Sequence, residues 1–354
     1  MQQEFTDIIQ LIKQSRYNTV RAVNTELVNL YWQVGEMISR RIAEAAWGDR
    51  TIEELAGFIA KQHPEIKGFN SRGLYRMKRF YEIYNKSQIV STVLTQLQDA
   101  ENQLNTIMSP VLTQFRLSDI RNTQLTKLSW SHHLTIISRA KTEEERLFYI
   151  NLSIKEQYSV RELDRQISSS IYERVMIGNA RLPEKIKEAH PGIADHFKDS
   201  YIFEFLNLPE PFNESELKKN LIKQMKQFIL ELGKDFLFAG EEFKVQVGNR
   251  DFFIDLLFYH RELQCLVAIE LKTDRFEPEY LGKLNLYLEA LDKDVKKPNE
   301  KPSIGILLCK DRDAELVEYA LNRSLSPTLI AEYNTWLPDK QILQQKLHEL
   351  FENN

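Results

Sequence analysis

A chain of 354 residues is long enough for two domains, and a hydrophobic content of 42% is enough to build a core in each. Its apolar runs are far too short to span a bilayer, and the opening MQQEFTDIIQ lacks a charged-then-apolar signal segment. A formal net charge of −4 neither requires nor excludes a nucleic-acid partner, because local charge sets such contacts.

The chain opens with helical periodicity. Phe5, Ile8, Ile9 and Ile12, then Val20, Val23, Leu27, Leu30, Val34 and Ile38, recur at helical spacing. A helix is expected from about Thr51 to Gln62, broken by Pro64 and Gly68. Asn70 or Ser71 then caps SRGLYRMKRFYEIY, in which Arg72, Arg76 and Arg79 line one side and Leu74, Met77, Phe80, Tyr81 and Tyr84 the other. Helix, turn, basic helix is the outline of a helix-turn-helix DNA reader, although this turn is longer than usual; the competing reading is an amphipathic hairpin with a solvated basic face. Residues 85–124 are polar and without firm pattern. Further helices are expected near Trp130 and from Ser159, where Ser159 and Glu162 have capping-box spacing. His132 and His133 are adjacent, so on a helix they diverge, and the expected role is at the surface or at a cap rather than on a metal. Arg161 and Arg165 are expected to pair with carboxylates, with DNA contact as the alternative. Prolines and glycines punctuate residues 177–211, and a domain boundary is expected at 180/181.

The second half changes period. ESELKKNLIKQMKQFILELG reads as one helix closed by Gly233. EFKVQV alternates as a strand, Gly248 to Arg250 turns the chain, and FFIDLLFYHRELQCLVAIELK reads as a β-hairpin. A helix opening at Pro278, a buried strand from Ile304 to Cys309, a helix from Ala314 to Asn322 and a strand from Thr328 to Glu332 follow. Cys265 and Cys309, both inside predicted strands, read as free thiols of a reducing, cytoplasmic compartment, with no zinc spacing. No glycine-rich P-loop is present to hold ATP. His260, at the end of the first hairpin strand, reads as a turn histidine.

The hairpin carries the chemistry. If it turns on Glu262 and Leu263, Asp255 faces Glu270 across the strands, and Lys272 shares their side. Charge on one face of an apolar sheet is costly unless used or paired. Two carboxylates can hold Mg²⁺ (or Mn²⁺), and a lysine beside them can position the attacking water for phosphodiester hydrolysis. A structural ion pair is the alternative.

The order helix, three strands, helix, strand, with Asp255 and Glu270-x-Lys272 on the second and third strands, resembles the PD-(D/E)XK nuclease superfamily. The phrases FFIDLLFYHRELQCLVAIELK, PEYLGKLNLYLEALD and PSIGILLCKDRD resemble the bacterial YhcG-type nucleases, which carry a helical domain before the nuclease core. The resemblance implies an α+β chain of two domains: residues 1–180 helical, binding DNA or a partner, and residues 181–354 an α/β restriction-endonuclease-like core of αβββαβ order. It implies metal on Asp255, Glu270 and the Leu271 backbone carbonyl, with Lys272 catalytic. Many relatives add a first-helix glutamate. Here Lys218 stands at that place, with Glu214 and Glu216 just before it, and Glu216 is the candidate. A Gln-x-x-x-Tyr pattern of related nucleases is Lys283-x-x-x-Tyr287 here, expected on the substrate side, and Ile254 replaces the proline that names the motif. The expected activity is a metal-dependent DNA endonuclease, in defence or mobile-element biology, acting without a membrane and plausibly as a homodimer. An inactive nuclease fold that binds DNA or a partner, and an RNA-directed nuclease, are the alternatives.

Overall fold

In a computed structural model, the structure describes residues 2–44, 50–85, 118–179, 196–321 and 326–352. Most of the patternless 85–124 stretch, and the residues around the expected 180/181 boundary, lie outside the described residues. The chain divides by packing into two compact units, 1–164 and 165–354.

The first unit is helical. It comprises α1 (Gln2–Ala43), α2 (Thr51–Gln62), α3 (Ser71–Tyr84), a 3₁₀ turn (Gln124–Lys127), α4 (Trp130–Arg139), α5 (Glu143–Glu156) and the start of α6 (Val160–Ser168). The caps follow the sequence: Asn70 accepts from the Gly73 amide at 2.9 Å, and the Ser159 hydroxyl from the Glu162 amide at 3.2 Å. The core joins Ile38, Ile52, Ala56, Leu74 and Met77, with Trp32 edge-on to Phe80. The chain passes α1 against α3 so closely that a Cβ on Gly35 would lie 2.2 Å from the Met77 carbonyl oxygen, so glycine is required there. The two histidines separate in role. His132, half-buried in the first turn of α4, lies with Nδ1 2.7 Å from the Ser129 hydroxyl and Nε2 2.9 Å from the Tyr158 carbonyl. His133 departs from the expected surface role: it is fully buried against Phe80 and donates Nε2–H to the Leu125 carbonyl at 2.8 Å.

The second unit begins with the end of α6 and α7 (Ile171–Asn179). It continues through β1 (Ser200–Ile202), α8 (Glu214–Lys223), α9 (Met225–Leu232), β2 (Phe236–Val247), β3 (Arg250–His260) and β4 (Cys265–Leu271). It closes with α10 (Tyr280–Ala290), β5 (Ile304–Cys309), α11 (Ala314–Leu321), β6 (Thr328–Asn334) and α12 (Lys340–Glu352). The six strands form one sheet in the order β1-β6-β5-β4-β3-β2. β2, β3 and β4 are an antiparallel meander, and β4, β5, β6 and β1 run parallel. The expected order of elements holds, with additions and shifts, and α12 follows the last expected strand. β1 is an additional edge strand. The single expected helix is two, broken at Gln224, whose backbone (φ −105°, ψ 30°) leaves the helical region. β2 starts at Phe236, ahead of the alternating EFKVQV.

One sheet face, with Leu256, Phe258, Val267, Ile269, Ile306 and Leu308, packs on α8 and α9 through Leu217, Leu221, Phe228 and Leu232. The other, with Leu257, Ala268 and Leu307, packs on α10 through Leu281, Leu284 and Leu288. Both cysteines are buried free thiols. His260 is a turn histidine, its Nδ1 accepting from the Leu263 amide at 3.2 Å. No described helix is long and apolar enough to cross a membrane.

Candidate active site

The register places the acids. β3 pairs β4 from His260↔Cys265 to Leu256↔Ile269, which makes Asp255 and Glu270 the next pair along, the alignment expected from the sequence. The connection has four residues rather than two. Beyond Leu256 the strands part: β3 stays with β2, while β4 stays with β5 as far as Leu271↔Leu308. Asp255 and Glu270 stand at this fork, reached by α8 and α10 from the two sheet faces.

Asp255 is 19% exposed, with Oδ2 accepting the Leu271 amide at 3.0 Å and Oδ1 3.3 Å from Lys218 Nζ. In extended backbone the amide and carbonyl of one residue leave on the same side, so the Leu271 carbonyl belongs to this flank too. Glu270 is 1% exposed; Oε1 accepts Lys283 Nζ at 2.6 Å and lies 3.6 Å from Lys272 Nζ. Its Oε2 is buried and has no hydrogen-bond partner. Burial, then the Asp255 charge, raise the Glu270 pKa above the ordinary carboxylate range, against the pull of the two lysines. Lys272 donates to both carboxylate oxygens of Glu214, at 3.0 and 3.2 Å, and lies 5.2 Å from the centre of the Tyr280 ring. Burial lowers the Lys218 ammonium, but its hydrogen bond to Glu242 and the Asp255 charge outweigh this and leave it raised.

Two expected positions are revised. Glu216 is not brought to the site: its carboxylate accepts the Asn213 amide at 3.0 Å in a capping box, and the α8 acid at the site is Glu214, one position after the cap. Tyr287 is not on an open substrate side: it is buried, and its hydroxyl donates to the Phe253 carbonyl at 2.7 Å, tying α10 to β3. Lys283 is half exposed but engaged by Glu270. Glu242 is a further acid at the site, one that no sequence motif singles out. β2 and β3 join through a two-residue turn at Gly248, so counting back from Val247↔Arg250 through Phe243↔Ile254 sets Glu242 opposite Asp255. Arg72, Arg76 and Arg79 lie in the first unit, lining a cleft of about 400 Å³ with Leu134, Thr135, Ile137 and Ser138 of α4. Arg165 pairs with Glu204 and Glu231.

The donor set fits a hard divalent cation. Asp255 and Glu270 converge from neighbouring strands, and Glu270 Oε2 is a buried acceptor with a lone pair to give. Among the described residues no group of three or more His, Cys, Asp and Glu side chains gathers at ligand range. A pair suffices for Mg²⁺, which keeps several waters and takes substrate phosphate oxygens.

An antiparallel hairpin feeding a parallel sheet, with paired acids and a lysine where it forks, defines a nuclease core of the PD-(D/E)XK, restriction-endonuclease-like class. Comparison with known proteins agrees. Residues 194–348 match the YhcG PDDEXK nuclease domain, and residues 7–111 and 100–174 match the DUF1016 N-terminal domain. The Escherichia coli (strain K12) protein named "Putative nuclease YhcG" is 30% identical over 363 residues, covering 98% of this chain and 93% of that one. The crystal structure of a repair endonuclease from Pyrococcus abyssi aligns with 37% of this chain and half of its own, at 18% identity and a TM-score of 0.23. The chain belongs to the YhcG family of PD-(D/E)XK nucleases.

Proposed function

We propose that this chain is a Mg²⁺- or Mn²⁺-dependent endonuclease that hydrolyses DNA phosphodiesters. The observation that carries the reading is the meeting of Asp255, Glu270 and Lys272 at the fork of β3 and β4. Asp255, Glu270 and the Leu271 carbonyl would hold the cation. When bound, it supplies Lewis-acid stabilisation of phosphate charge and a lowered water pKa. Lys272, fixed between Glu214 and Glu270, orients the attacking water by donating a hydrogen bond to it and counters the charge that grows on phosphorus. Lys283, half exposed at the rim beside Glu270, would donate to a substrate phosphate. The arginines of α3 add a contact that tracks backbone phosphate without reading bases.

The test is nicking or cleavage of supercoiled, linear and single-stranded DNA, with RNA as a separate arm, in Mg²⁺ or Mn²⁺. Wild type should cut DNA, while Lys272→Ala and Asp255→Ala fall by about 10²–10³ or more, the scale of losing one stabilising donor. Equal residual cleavage by all three proteins refutes the reading, and cleavage of RNA alone reassigns the substrate. A second reading, a binding protein built on a nuclease fold without activity, draws on the ammonium groups of Lys218 and Lys283 lying on both acids. It is favoured if no form of the site takes up Mn²⁺.

A further inference from the structure

We infer that Lys218 is a built-in cation that restricts the site to a single divalent ion, an inference that rests on the metal-dependent reading above. Lys218 stands one helical turn after Glu214 on α8, so the same face of that helix delivers the acid that holds Lys272 and the base that holds Asp255. Its Nζ is shared between Glu242 Oε1 at 2.8 Å and Asp255 Oδ1 at 3.3 Å. Glu242 takes φ +44°, a left-handed conformation that a glutamate adopts at a cost, at the point where the β2–β3 register lies across from Asp255. Lys218, 17% exposed, thus lodges its ammonium between two carboxylates, a fixed positive charge in place of a second ion.

Charge balance argues the same way. Four carboxylates and three ammonium groups fall into two groups with contacts of 3.6 Å or less: Lys218 with Glu242 and Asp255, and Lys272 and Lys283 with Glu270 and Glu214. One divalent cation and one phosphodiester bring that set to neutrality. Two cations would leave an excess of two positive charges in a partly buried site, which is unfavourable. Lys218 therefore takes the part of the second ion: a fixed positive charge on the Asp255 side of the phosphate, needing no metal.

The experiment is Mn²⁺ binding by the full chain, followed by calorimetry and by the loss of the free Mn²⁺ paramagnetic resonance signal. Wild type, Lys218→Gln, Lys218→Glu and Asp255→Asn are compared, with folding checked by circular dichroism. Wild type should take up one ion per chain. Lys218→Gln should bind one ion about tenfold more tightly, because a positive neighbour is removed. Lys218→Glu should bind two. Wild type with two ions, or lysine variants with unchanged affinity and stoichiometry, overturn the role of Lys218 and leave the metal-dependent reading intact. No binding by wild type overturns both. Should Lys218→Glu fail to fold, the affinity of Lys218→Gln decides alone.

Discussion

At the scale of single residues, Glu270 shows how a buried charge is kept. It is 1% exposed, one oxygen is orphaned, and the other is held by Lys283 at 2.6 Å. Removing a partner from a buried pair leaves desolvation uncompensated, whereas removing the charge as well can be neutral. Lys283→Ala should therefore destabilise the metal-free protein by about 1–3 kcal/mol, and Lys283→Ala with Glu270→Gln should recover part of that loss. Urea unfolding midpoints decide it: if the single variant unfolds where wild type does, Lys283 is not what compensates Glu270. The trio itself is legible in the sequence because alternation puts residues 270 and 272 on one side and the hairpin sets 255 against 270. Glu242 is not, since a charged residue in a strand reads as solvent-facing until the register across the Gly248 turn is counted. Glu216 stands at a plausible position in the helix, but an acid three residues past an asparagine cap is drawn to the cap.

At the scale of elements, the helices of the first unit are readable where cap and stripe coincide. Asn70 begins α3 and its apolar face is the buried one, Leu74, Met77, Phe80 and Tyr84. The break at Gln224 is hidden because the apolar spacing runs on across it, and β1 because three residues carry no period. The α3–α4 cleft has three arginines, and among the described residues none of the three makes an ion pair with a carboxylate. If they face phosphates, removing any one of them should flatten the salt dependence by about 0.9 in the log–log slope. Arg72→Ala with Arg76→Ala should thus weaken DNA binding uniformly across sequences and lower the slope by about 2, measured by fluorescence anisotropy from low to high salt. An unchanged slope would return α3 to an ordinary solvated basic face.

At the scale of the whole molecule, the second unit is tied together by one buried carboxylate. Glu231 of α9 is fully buried and lies 3.0 Å from Arg165, 3.4 Å from Arg174 and 3.4 Å from Lys198, and it accepts the Ile202 amide at 3.1 Å. The end of α6, α7 and β1 are thereby fastened to the nuclease sheet, and the packing division falls at 164/165, ahead of the 180/181 boundary suggested by composition. No local pattern reveals this, because the partners are distant in sequence. Burial opposes ionisation of Glu231, but Lys198, Arg174 and Arg165 overcome it and hold the pKa down at about 2. A depressed carboxylate contributes stability that is full above its unfolded value, near 4.3, and is lost as pH falls through about 2. Glu231→Gln in the full chain should cost about 3–5 kcal/mol at neutral pH, since three cations lose their counter-charge. It should also flatten the loss of stability between about pH 5 and 2. Urea titrations across that range check both, and a variant with the wild-type acid limb would show that other groups govern it.

The fork between β3 and β4 has a consequence for the nascent protein. Glu270 and Lys272 sit on a strand whose outer neighbour, β5, is synthesised only after all of α10, and the Lys272 amide is fastened to the Leu308 carbonyl at 2.8 Å. A polypeptide still emerging from the ribosome, or one truncated before Ile304, carries every charged group of the trio yet lacks the scaffold that aligns them. Alignment of the trio thus comes late in synthesis, with the completed sheet.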